Sequence, residues 1–151
     1  MRLLTLTLLT LLSVAAWAES RPEAAATIEV IDATVRVPIP GKDNSSAYFL
    51  LRNPGDREHV LVDVHAEFAE RAELHRHETR DGMMRMRRVD SVTLAPGAEV
   101  RFQSGGYHVM LFKLNRRPRT GDPLDLILEF DDGSRQTVTA HAVSVFDRPH
   151  H

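Results

Sequence analysis

Residues 74–88 read LHRHETRDGMMRMRR, and the Asp81-Gly82 pair at their centre decides how this part of the chain folds. Asp-Gly between two extended runs signals a two-residue hairpin, because both central positions of a type I′ turn need positive φ. With those two residues as the loop, Arg80 faces Met83, His77 faces Met86 and His75 faces Arg88. Alternate side chains of a strand share a face, so His75 goes with His77, Met84 with Met86, and, further on, His108 with Met110. Facing Cβ atoms lie ~5 Å apart and diagonal neighbours ~7–8 Å, so either histidine of the hairpin comes within reach of Met86.

The same alternation of apolar runs and turn residues extends in both directions. It predicts strands over 27–37, 46–52, 60–67, 72–78, 83–89, 91–94, 99–102, 107–114, 124–130 and 136–145, separated by such turns as Asn53-Pro54-Gly55-Asp56, Pro96-Gly97 and Asp131-Asp132-Gly133. Val60, Val62 and Val64 form one face of a half-buried strand, with His59, Leu61, Asp63 and His65 on the other. Only Ala66–Leu74 has a composition that would pass for a helical turn or two. Many short strands with few helices predict an all-β sandwich or Greek-key barrel over residues 27–146. Residues 19–26 read as a short tether and 147–151 as a polar tail.

Residues 1–18, MRLLTLTLLTLLSVAAWA, read as a cleaved signal peptide: Arg2 opens it, an apolar run follows, and Ala16-Trp17-Ala18 is a small-x-small cleavage site. The run is short of the ~20 residues a membrane span needs, and no second one follows. The expectation is a soluble mature protein in a bacterial periplasm. With 151 residues, 42% of them hydrophobic, one core of useful size can form. A net charge of −2 and 6% aromatic residues argue against nucleic-acid binding. The absence of Cys removes thiol nucleophiles, zinc ribbons, iron–sulfur clusters and blue-copper thiolates.

Chemistry concentrates in one window. Met83, Met84, Met86 and Met110 fall there, and His75, His77 and His108 lie in or beside it. A thioether is soft, uncharged and needs no deprotonation, and imidazole suits copper, so a mixed His/Met cluster selects Cu(I) over Zn²⁺, Mg²⁺ or Ca²⁺. A lone methionine would be core filling; four in this window with interleaved histidines point to a metal. His59 and His65 are expected to be solvated and His141 structural, while His150 and His151 could scavenge metal from the tail. Arg85, Arg87 and Arg88 read as a solvated strand face or as a docking surface for an acidic partner. A zinc site built on the three histidines, or an exported β-sandwich binding module whose Met and His only pack, are the alternatives to copper.

The spacing carries a resemblance. His75 is followed after ten residues by Met86, which is followed after twenty-one by His108-Val109-Met110. Together with Leu74, Asp81-Gly82, Met84-Arg85, Pro96-Gly97 and Gly105-Gly106-Tyr107, this resembles the periplasmic copper chaperones called PCu(A)C. Ser46-Ala47-Tyr48-Phe49 and Gly121-Asp122 are similar to the family as well, so the likeness spans most of the chain. The resemblance implies a cupredoxin-like Greek-key β-barrel, a non-enzymatic role, and Cu(I) held by His75, Met86, His108 and Met110. It further implies delivery to the CuA centre in subunit II of cytochrome c oxidase, alongside a Sco-type thioredoxin-fold protein. Several relatives carry Met near the position of His77, which makes His77 an auxiliary ligand candidate with a greater tolerance of Cu(II).

Overall fold

The computed structural model describes residues 24–144 and 146. The expected signal peptide, most of the tether, Val145 and the tail 147–151 lie outside these residues. Ten strands follow one short helix: α1 (Ala24–Thr27), β1 (Glu29–Arg36), β2 (Ser45–Arg52), β3 (His59–His65), β4 (Ala69–Arg80), β5 (Met83–Arg88), β6 (Val92–Leu94), β7 (Glu99–Phe102), β8 (Tyr107–Leu114), β9 (Pro123–Phe130) and β10 (Arg135–Val143). The fold is all-β, of the cupredoxin-like Greek-key type. Neighbours run β5-β4-β8-β7-β2-β1-β10-β9-β3-β6, so the chain repeatedly skips between non-sequential strands, and β1 lies parallel to β10. The hydrogen-bonded sheet is open, with β5 and β6 as its edges. Its inner face packs Leu51, Leu61, Phe102, Val109, Leu111, Leu126 and Phe130 into one core.

Three local features differ from the sequence expectation. Ala66–Leu74 is not helical: residues 67 and 68 form a turn, and β4 begins at Ala69. The ladder from Ala69↔Leu114 to Arg76↔Tyr107 against β8 overrides the helical preference of this Ala/Glu/Leu stretch. The tether does not extend to residue 26, because Ala24–Thr27 is a helical turn with Ala24 fully buried. Its N–H donates to Asp132 Oδ2 at 2.8 Å, and that of Ala25 donates to Ser134 Oγ at 2.9 Å, which docks the turn on the β9–β10 connection. In β3 a register shift between Leu61 and Asp63 breaks the simple alternation. His59 and Leu61 therefore point inward before the shift and Val64 after it, leaving His65 exposed but His59 buried.

The Asp81-Gly82 hairpin forms in the expected register. β4 and β5 pair from His75↔Arg88 through His77↔Met86 to Arg80↔Met83. The turn residues have φ of 54° at Asp81 and 73° at Gly82, as a type I′ turn requires. The hairpin runs past the core, and every residue of β5 is exposed.

Candidate metal centre

β4 lies between β5 and β8, and its registers bring the predicted residues onto one face. His75 is opposite His108, Glu73 is opposite Met110, and on the other flank His77 is opposite Met86. His75 is thus the centre of the group: His108 faces it directly, while Met86 and Met110 are both diagonal to it, at the ~7–8 Å that long side chains span. His77 faces Met86 and is diagonal to His108, but stands two further positions from Met110. The register distinguishes the two histidines of the hairpin, which parity alone could not do. On the reverse of the same strands Leu74, Val109 and Leu111 enter the core.

The imidazoles are held with one nitrogen free. His108 is only 3% exposed, and its Nδ1 lies 3.1 Å from the Gly106 carbonyl. A carbonyl only accepts, so Nδ1 carries the proton and Nε2 keeps its lone pair. His75 Nε2 donates to Glu73 Oε2 at 2.8 Å, leaving its Nδ1 unprotonated in the neutral ring. Nε2 of His108 and Nδ1 of both His75 and His77 are buried without a hydrogen-bond partner among the described residues. Buried polar atoms normally find partners, so three orphaned ring nitrogens on one face call for a ligand. The rings lie close: His77 stacks on His108 at 5.0 Å between centroids, and His75 stands 5.9 Å from His108.

Electrostatics favour the neutral, ligand-ready state. Burial lowers the His108 pKa from its ordinary 6.5, and the neighbouring His77 and His75 lower it further against an opposing contribution from Gly106. Glu73 is held below 4.5, chiefly by its hydrogen bond with His75 and then by Arg71 and Arg88, so it stays ionised and orients the ring. Ser46 Oγ donates to Met110 Sδ at 3.5 Å, and Arg71 lies over the Phe112 ring at 4.5 Å beside His75.

Glu73 and Ser46 escaped the sequence reading. Glu73 sits two residues before His75, so strand parity could have placed it on this face; Ser46 reaches Met110 only through the long-range β2–β8 pairing. Two expectations need correction. His59 is buried, not solvated. Arg85 and Arg87 are exposed on the reverse face, where Arg87 pairs with Glu78, whereas Arg88 stands opposite His75 on the face that carries the histidines. His65 is exposed beside Asp63 and Glu129, and His141 is exposed on β10.

A model of the LpqE-like family, to which the PCu(A)C domains belong, matches residues 28–142. The chain belongs to this family. Its described fold is that of the solved PCu(A)C domains. The copper-bound PCuAC domain from PmoF2 superposes with a TM-score of 0.68 at 23% identity, covering 80% of this chain and 96% of that one. The solution structure of apo-DR1885 from Deinococcus radiodurans gives a TM-score of 0.65 at 25% identity over 97% of this chain and 98% of that one. Its Cu(I) form gives 0.61 at 25% identity, over 85% and 87%. Uncharacterized protein RP573 of Rickettsia prowazekii is 28% identical over 108 residues, which are 71% of this chain and 59% of that protein. The chain thus matches less than two thirds of the length of that curated relative. No helix among the described residues is long and apolar enough to cross a membrane.

Proposed function

We propose that this chain is an exported copper carrier, not an enzyme, that binds one Cu(I) through His75, Met86, His108 and Met110, with His77 as an auxiliary donor. The observation that carries the reading is the set of orphaned imidazole nitrogens sharing a sheet face with two thioethers. Two of the four proposed donors, Met86 and Met110, are thioethers on the same face as the imidazoles. A zinc site of hard and borderline ligands therefore has less support than a soft one that draws on methionine. Membership of the PCu(A)C family and the copper-bound relatives support the same choice of metal.

The cargo is taken up without redox chemistry. Thioethers bind without losing a proton, and the two histidines present neutral nitrogens whose opposite sides are fixed by Glu73 and Gly106. The acceptor is the CuA centre in subunit II of cytochrome c oxidase, served together with a Sco-type thioredoxin-fold protein, and the working compartment is the periplasm reached through a signal peptide cleaved after Ala18. Anaerobic titration against a Cu(I) chelator, followed by mixing with an apo-CuA fragment, tests the reading. One tightly bound equivalent that moves to the fragment supports it. Absence of a stoichiometric equivalent overturns the copper reading, and tight binding without transfer overturns the acceptor.

A further inference from the structure

The hairpin carries one more soft donor on the metal-facing side than the four-residue set uses. Met84, paired with Thr79, lies two positions from Met86 and shares its face; Met83, paired with Arg80, lies on the reverse. His77 faces Met86 and is therefore diagonal to Met84, within the ~7–8 Å that a methionine spans. Its Nδ1 is buried without a partner among the described residues, and His77 is not one of the four principal donors proposed for the inner set. The two thioethers are open to solvent, Met84 at 65% and Met86 at 46%, whereas His108 is 3% exposed.

We infer that His77, Met84 and Met86 form a second, outer Cu(I) position, weaker than the inner one and sharing Met86 with it. The inference rests on the copper reading above and assigns the route by which the ion leaves. One imidazole and two thioethers make a soft three-donor set suited to Cu(I). A thioether sulfur has two lone pairs, so Met86 reaches both positions. In the exchange, bonds to His75, His108 and Met110 break and the bond to Met84 forms, while Met86 and the auxiliary donor His77 stay with the ion. The copper stays Cu(I), and no proton moves at sulfur.

The test uses protein with ¹³C-labelled methionine methyls, titrated anaerobically with Cu(I) from zero to two equivalents, beside Met84→Leu and Met83→Leu variants. The first equivalent is expected to shift the Met86 and Met110 methyls and the second to shift Met84, while Met83 stays in place. Met84→Leu should retain the first equivalent, lose the second and release copper to a chelator more slowly; Met83→Leu should behave as wild type. A Met84 resonance unmoved at two equivalents, or a Met83 resonance that moves with it, overturns the outer position. Met86 and Met110 unmoved by the first equivalent would instead overturn the inner site and the copper reading itself.

Discussion

The two flanks of β4 each offer a thioether, Met110 on β8 and Met86 on β5, under opposite conditions. On the β8 side, His108 is buried, its Nδ1 is tied to Gly106, and Met110 accepts from Ser46. On the β5 side, Met86 stands on an edge strand whose residues are all exposed. β8 is paired on both sides and its reverse face fills the core with Val109 and Leu111. Among the described residues, β5 pairs with β4 alone. One half of the site is thus built into the folded body, and the other is accessible to a partner. The contrast matches the two demands on a carrier, which must hold its ion in a fixed geometry and also give it up.

The contrast breaks most readily at His108. His108→Ala should weaken Cu(I) binding by more than ~100-fold, since even groups that only orient a ligand are worth 10–100-fold. It should also lower stability in denaturant by about 1–3 kcal/mol, because a buried ring leaves a cavity. Met86→Leu should weaken binding by ~10–100-fold but change folding by less than ~1.5 kcal/mol, as a volume-conserving swap at an exposed position. Equal folding losses in the two variants would erase the distinction between the flanks. Chelator competition and urea unfolding measure both quantities.

Smaller effects sharpen the picture on β4 itself. His75→Ala should cost more affinity than His77→Ala, because only His75 neighbours all three other ligands. The reverse order would move the inner site toward the hairpin tip. Glu73→Gln keeps a hydrogen-bond acceptor but removes the charge, and should weaken Cu(I) binding by about tenfold.

The smallest effect is in pH. Burial lowers the folded-state pKa of His108 below its ordinary 6.5, so folding favours the neutral ring. That contribution is fully present above about 6.5 and is lost as pH falls through the lowered folded value. Copper-free protein should therefore lose part of its stability on acidification in this range, and His108→Ala should lose less. An identical pH profile of denaturant midpoints for both proteins would contradict the assignment.

The legible and illegible parts of this molecule divide along sequence distance. The β4–β5 register followed from Asp81-Gly82 because a two-residue turn leaves no freedom in the pairing, and strand parity then placed His75 with His77 and His108 with Met110. Pairings that join distant segments left no such local mark. The opposition of His75 to His108 and the contact of Ser46 with Met110 arise from β4–β8 and β2–β8 neighbours whose order is set by the whole core. The α1 turn was hidden because its partners, Asp132 and Ser134, lie more than a hundred residues away. The shift in β3 was hidden because Val60 to Val64 alternate perfectly in sequence, and only the pairing with β9 breaks that alternation. Spacing against a known family named the four proposed ligands; the register puts His75 at the centre of them.

In the proposed site, thioethers and imidazoles bind the ion together. X-ray absorption at the copper edge, on protein loaded anaerobically with less than one equivalent of Cu(I), tests this joint binding most directly. Both nitrogen and sulfur scatterers should appear in the coordination shell, and the sulfur contribution should fall in Met86→Leu and again in the Met86→Leu, Met110→Leu double variant. With no cysteine in the chain, methionine is the only source of sulfur. A shell of nitrogen and oxygen alone, unchanged in those variants, would contradict the account.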